Sequence, residues 1–311
     1  MTAPTLVMRL TTYSREPVED WSGLIDLAVA ADEAGLDRVM VSDHVVFGEH
    51  LEEYGRTDVG GMSGGRQPTG PDGHWLEPMT LLALIAGRTS RVRLVTGILQ
   101  AALRRPVVLA KSAATLDVLS GGRLDLGVGV GWQREEYEAA GLAFDGRGHL
   151  LDESLAVCQT LWRDSPAYYS SPTLTFGPAY SFPHPAQPGG VPLWVSGRIN
   201  PAVVRRVARF ATGWMPWGDD MLDPAASVPR MRSALAAEGR DPEGLRVLGQ
   251  LRLVGGEGGL DLDRTMEPVA RQIEAGVTDF TLGGRVPSSA AAAADVLPGI
   301  VEAFRAVAPA T

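Results

Sequence analysis

The chain has 311 residues, 45% of them hydrophobic, and a formal net charge of −9, so it is long enough for a core well beyond the marginal size. No run of 18 or more apolar residues is free of polar interruption, which excludes a membrane-spanning helix. Basic side chains are scattered through an acidic chain, which argues against nucleic acid as the main partner.

Eight stretches read as strands in chain order: 5–12, 37–42, 92–98, 123–129, 191–196, 213–217, 246–253 and 278–283. Most are apolar on both faces, as strands covered on both sides must be. Helical patterns fall between them at 18–35, 77–89, 106–119, 149–163, 201–211, 226–238, 265–275 and 289–307. This alternation predicts an α/β fold, a (β/α)8 TIM barrel, with a doubly wound open sheet as the second choice. Two insertions break the rhythm. Residues 46–76 follow strand 2, are rich in Gly and polar residues, and have the length of a lid or binding loop. Residues 164–190, rich in Pro, Tyr and Ser, precede strand 5 and read as a short β-excursion. Neither an internal repeat nor a linker divides the chain, so residues 1–311 are expected to form a single domain. The opening "MTAPTLVMRL" lacks a basic flank, apolar core and cleavage site, and a cytoplasmic protein is expected.

Active sites of such barrels form where strands end and the following loops begin. Strand 2 ends on Asp43 and His44. A carboxylate can fix an imidazole's tautomer, and the imidazole suits proton transfer near neutral pH. Adjacent strand residues point to opposite faces, however, so only one of the two is expected in the pocket. The plain alternative is that Asp43 caps the loop backbone and His44 packs under it. Strand 3 ends in "LVTGIL", where Gly97 permits close approach of a backbone or a flat ligand, or simply ends the strand.

Strand 4 ends in "GVGVGW". A dinucleotide-binding GxGxxG would need Gly where Trp132 stands, and no acidic residue ends a second strand about twenty residues on, so that reading fails. Gly129 and Gly131 instead open a pocket beside the Trp132 indole. Strand 5 runs into "VSGRINPAVVRR", where Asn200 can cap a helix that begins at Pro201. Free amides there, with Ser196, Gly197 and Arg198, suit a phosphate; ordinary capping is the alternative. Cys158 is the only cysteine, within "ESLAVCQTLW", and reads as a buried inert thiol. The five histidines, at 44, 50, 74, 149 and 184, show no metal-ligand spacing, and no metal site is expected.

Taken together, "AADEAGLDRVMVSDHVVF", "RVRLVTGIL", "RRPVVLAKSAATLDVLSGGRLDLGVGVGWQREEYEAAG" and "VPLWVSGRINPAVVRRVARFATGWMP" resemble the bacterial luciferase-like flavin/deazaflavin oxidoreductase family, specifically its coenzyme F420-dependent branch. The third stretch is the most specific, through Pro106, Asp117, Gly122, Arg123, Gly129, Gly131 and Trp132. The resemblance runs from strand 1 to Trp214; the C-terminal third matches only in rhythm.

The resemblance implies F420, or alternatively FMN, at the C-terminal face of the barrel. Its ring would lie against Thr96, Gly97 and Ile98, with a cis peptide bond between Gly97 and Ile98. Its phosphate-bearing tail would reach Ser196, Gly197 and Arg198, and Asp43, Gly129, Gly131 and Trp214 complete the implied cofactor-binding set. His44 would be the catalytic proton donor beside the ring, under the 46–76 loop. Val130 stands where sugar-phosphate dehydrogenases of this branch resemble one another in having an acidic residue, and the loop carries only Arg56 and Arg66. A neutral or weakly polar organic substrate is therefore expected, not a sugar phosphate.

The implied activity is hydride transfer between F420 and that small-molecule substrate. The alternatives are an FMN-dependent luciferase-like monooxygenase and a non-catalytic flavin- or F420-binding protein, since fold alone never fixes function. "EPMTLLALIAG" and "PVVLAKSAATLDVL" are more apolar than one face against a barrel requires, so a homodimer packed through 77–119 is expected.

Overall fold

A computed structural model describes residues 3–257 and 259–308. Eight parallel strands form its centre: β1 (Thr5–Arg9), β2 (Arg38–Val41), β3 (Arg93–Thr96), β4 (Leu124–Val128), β5 (Leu193–Gly197), β6 (Gly213–Pro216), β7 (Arg246–Leu253) and β8 (Asp279–Gly284). Hydrogen-bonded neighbours run β1-β8-β7-β6-β5-β4-β3-β2, and β2 pairs back onto β1. The sheet is closed, which disposes of the open doubly wound alternative. The expected domain of residues 1–311 extends at both ends, and at position 258, outside the described residues.

A helix follows each strand: α1 (Ser22–Glu33), α2 (Pro78–Ala86), α3 (Pro106–Leu119), α4 (Arg147–Arg163), α5 (Pro201–Phe210), α6 (Pro224–Ala237), α7 (Val269–Ala275) and α8 (Ala290–Val307). Four of them begin at a proline, which has no N–H to lose in the first turn and is pre-set to helical φ. Pro224, with the Asp223 side chain accepting from the Ala226 amide, starts α6 two residues earlier than the apolar pattern indicates. The helix expected at 265–275 is two pieces, Leu262–Met266 and α7, with Pro268 at the N-cap of the second.

Strand alternation sends every second residue inward, and the barrel interior is layered. At the N-terminal end, Asp125 and Asp279 meet Arg38, Arg93 and Arg246. Arg93 grips Asp125 through Nε at 2.9 Å and Nη2 at 2.8 Å, and Arg246 grips Asp279 at 3.0 and 2.6 Å. Arg38 bridges both acids, its Nε 3.0 Å from Asp279. Burial pulls the Arg38 guanidinium down to about 10 against the attraction of Asp279. Above this layer lies an apolar plug of Val7, Met40, Val95, Trp194 and Met215. Outward-facing residues such as Leu6, Met8 and Leu10 join the core between barrel and helices.

Both insertions are where the sequence puts them. The loop after β2 contains a 3-10 turn, Leu51–Gly55, and returns as His74–Trp75, which pairs antiparallel with Tyr13–Ser14 just past β1. The segment before β5 is an antiparallel hairpin of Ala167–Ser170 with Thr175–Ala179.

Candidate active site

The C-terminal ends of the strands and the loop after β2 enclose a cavity of about 660 Å³. His44 stands at the exit of β2 in an aromatic niche. Its ring centroid lies 4.5 Å from Phe47, 4.8 Å from Trp75 and 5.9 Å from Trp132. Its Nδ1 is 3.2 Å from Oε1 of Glu136, a fully buried carboxylate on the short helix Arg134–Ala139. Glu136 is itself held: Oε1 accepts the Val45 N–H at 2.9 Å, and Oε2 accepts the Gln100 amide at 2.8 Å. The contact does not meet hydrogen-bond geometry and leaves Nδ1 without a partner among the described residues, so Glu136 acts on the ring as a nearby fixed negative charge.

Asp43, two residues past the end of β2, also lines the cavity, but its carboxylate is already bound. Its carboxylate receives Arg104 at 2.6 and 3.1 Å and the Gln100 N–H at 2.8 Å. Arg104 reaches on to Glu77 at 2.9 Å. Asp43 therefore fixes the loop that follows β3, and the expectation that only one of the pair would reach the pocket is not met, since both Asp43 and His44 line it.

The Gly97–Ile98 peptide bond is cis, as the resemblance implies. A Cβ on Gly97 would lie 2.2 Å from Met40 Sδ, and one on Gly131 would lie 2.0 Å from Gln100 Oε1, with Gly131 at φ +68°. These two positions admit no other residue without displacing the wall. Gly129 supports Ile98 from the side, its hypothetical Cβ 3.0 Å from Ile98 Cδ1.

Thr96 and Trp214, expected against the cofactor, do not line the cavity. Both are fully buried one layer behind it. The Thr96 hydroxyl donates to the Gly127 carbonyl at 2.7 Å, and the Trp214 indole donates to the Gly197 carbonyl at 2.9 Å. A strand residue facing the helices cannot also face the lumen.

Ser196, Gly197 and Arg198 do line the cavity, but the helix start beside them is not free. Asn200 Oδ1 takes the amides of Ala202 and Val203 at 3.0 and 3.1 Å, and Asp220 takes the Ile199 amide at 2.7 Å. Capping accounts for those donors, so anion affinity here falls to the Arg198 guanidinium. Arg198 donates to the carbonyls of Thr57 and Gly61 at 3.1 and 2.6 Å. Arg147 donates to Val59 O at 2.9 Å, and the Trp217 indole to Gly60 O at 3.1 Å. Three side chains from the far side thus pin residues 57–61 of the loop across the mouth.

The site also contains groups that sequence reasoning missed. Glu136 sits in a run of charges, "QREEYEAAG", where nothing in the pattern separates it from exposed neighbours. Gln100 follows the predicted strand and carries no signal. Arg9 did have one: it follows Val7 at the strand period and so shares its inward face.

A flat heteroaromatic group fits this space. The buried Trp132 Nε1, Gln100 Oε1 and Thr281 Oγ1 have no hydrogen-bond partner among the described residues, and all three residues line the cavity, Gln100 and Trp132 near its glycine wall and Thr281 on β8. Such stranded donors and acceptors match the amide-like edge of a flavin or deazaflavin ring. Among the described residues, no group of three or more His, Cys, Asp or Glu is arranged to hold a metal ion. No described helix is long and apolar enough to cross a membrane. Burial pushes the Cys158 thiol far up, so it stays protonated.

The sequence profile of the luciferase-like monooxygenase family matches residues 5–295. The chain belongs to that family. It is 30% identical over 223 residues to the F420-dependent glucose-6-phosphate dehydrogenase of Kineococcus radiotolerans, covering 70% of this chain and 59% of that one. Solved structures of the same fold include an F420-dependent secondary alcohol dehydrogenase in complex with an F420-acetone adduct (TM-score 0.74, 18% identity, 97% of this chain and 99% of that chain). They also include the oxygenating constituent of 3,6-diketocamphane monooxygenase from Pseudomonas putida in complex with FMN (TM-score 0.71, 16% identity, 99% and 98%). This chain is thus an oxidoreductase-type enzyme of the luciferase-like family.

Proposed function

We propose that the protein is an F420-dependent oxidoreductase that moves a hydride between the deazaflavin and a small organic substrate other than a sugar phosphate. One observation carries the reading: a cavity-facing His44, beside the buried carboxylate of Glu136 and next to the glycine wall of Gly97, Gly129 and Gly131. The bound deazaflavin supplies the hydride chemistry. Ile98, Gly129 and Gly131 would bear the ring, and Arg198 with Ser196 and Gly197 would meet its phosphate. Thr96 and Trp214 brace these walls from behind. His44 holds the proton that the substrate oxygen gains or gives up, and the buried Glu136 lies beside its imidazole as a fixed negative charge. The aromatic niche and the pinned loop exclude water.

Two features weigh against a sugar phosphate, although a relative bears that activity in its name. Val130 supplies no carboxylate on the cavity wall. The acid that addresses His44 is instead Glu136, six residues further on. The second reading, an FMN-dependent monooxygenase, draws support from the FMN-bound structure of similar fold, at a TM-score of 0.71 against 0.74. Fluorescence titration of the protein with F420 and with FMN separates the two. F420 is expected to bind more tightly; FMN binding tighter by about tenfold, some 1.4 kcal/mol, would reverse the assignment.

A further inference from the structure

The charged residues on the cavity wall are matched, with one exception. Asp43 is paired with Arg104, Asp58 with Arg56, and Arg206 with Asp152. Arg198 and Arg147 are engaged by carbonyls of the loop. Arg9, at the end of β1, has no carboxylate or carbonyl partner among the described residues. Its one recorded contact is Nη2 to Met40 Sδ at 3.8 Å. A guanidinium presents five N–H donors in a planar fork, and a thioether is a poor acceptor for any of them. The side chain opens onto the cavity, yet the surrounding protein desolvates it enough to lower its pKa, with Tyr54 and Tyr13 opposing that effect. A cavity-facing, solvent-exposed guanidinium with no counter-charge of its own is a ready partner for an anion.

Its position separates it from the phosphate end of the cofactor. In the closed strand order, β1 and β5 are diametrically opposed, so Arg9 lies across the barrel from Ser196–Arg198. It shares its side with His44. Tyr13 stacks on Trp75 at 4.3 Å, and Trp75 packs edge-on against His44.

We propose that Arg9 anchors a carboxylate carried by the substrate, with Tyr13, Tyr54 and Trp75 packing against the organic body of that acid. This rests on the reading of the cavity as the active site, and it replaces the neutral substrate expected from the arginine-poor loop. A single guanidinium among aromatic rings matches a monoanion, whereas a phosphate monoester calls for more donors than this corner holds.

Isothermal titration calorimetry with benzoate, benzamide and phenyl phosphate, on protein free of cofactor, tests the proposal. Wild-type protein is expected to bind benzoate at least about tenfold more tightly than benzamide, and more tightly than phenyl phosphate. In Arg9→Met, whose side chain can pack on Met40, the benzoate preference should vanish; in Arg9→Lys part of it should return. F420 affinity, titrated separately, should move by less than about threefold in either variant. Equal binding of benzoate and benzamide by the wild type overturns the proposal without any variant, as does a preference that survives Arg9→Met. Preferred binding of phenyl phosphate overturns the carboxylate assignment, and a collapse of F420 affinity assigns Arg9 to the cofactor instead. Failure of the F420 titration in the wild type would count against the cofactor reading alone, since the anion preference is measured without it.

Discussion

His44 concentrates the consequences of the site at the residue scale. Turnover is expected to depend on it through proton transfer rather than through cofactor binding. His44→Ala should lower kcat by about 10²–10⁴, the usual worth of a positioned acid or base, while F420 affinity changes by less than about tenfold. Steady-state kinetics beside a fluorescence titration measure the two effects separately. Collapsed affinity with kcat intact at saturation would make His44 a wall of the cofactor site. At this scale the sequence was legible where a side chain still lies on a strand. Asp43 and His44 lie past the end of β2, where the period-two rule no longer holds, and both line the cavity instead of only one. The same rule puts Thr96 and Trp214 outside the lumen, where the family resemblance had set them against the ligand. Glu136 was invisible, because its burial comes from tertiary packing against the β2 exit and not from its own neighbours.

The elements were legible because each of the eight strands is a short apolar run and several helices announce their starts with a proline or a capping side chain. Boundaries were missed where a side-chain bond overrides the apolar pattern, as at Asp223 and Pro224. Asp32 is another such bond. At the end of α1 it is buried, and its carboxylate collects the amides of Ser90, Arg91 and Val92 at 2.9, 3.0 and 2.6 Å, fixing the entry to β3. Burial alone would raise its pKa; the three backbone donors outweigh that and hold it below the usual carboxylate range. The folded value thus lies beneath the unfolded value of about 3.9. The stabilisation is complete above the unfolded value and is lost as pH falls through the folded one. Asp32→Asn should cost about 1–3 kcal/mol at neutral pH, since an amide cannot accept all three donors. Denaturant melts at a series of pH values should show the gap between wild type and variant closing below about pH 4. A gap that stays constant would deny the carboxylate this role.

Across the whole molecule, the alternation of strand and helix pointed to the barrel but also suited a doubly wound open sheet, and it is the pairing of β2 back onto β1 that decides for closure. Assembly is a separate matter. Leu84 on α2 and Val107, Val108, Val118 and Leu119 on α3 are exposed, Leu119 to 76%. These residues fall within the 77–119 region, and we predict a homodimer of single-domain subunits joined through it. Sedimentation velocity at micromolar concentration should give a dimer, and Leu119→Glu with Val108→Glu should give a monomer. A wild-type monomer would refute the prediction.

The ion-paired layer and the apolar plug above it have one more result. They stopper one end of the barrel, so the vessel has a single door. Molecules that share such a well must form a queue: the one seated deeper enters first and departs last, and nothing leaves by a back exit. An acid held by Arg9 would thus have to enter and leave past the loop, in turn with whatever else occupies the well.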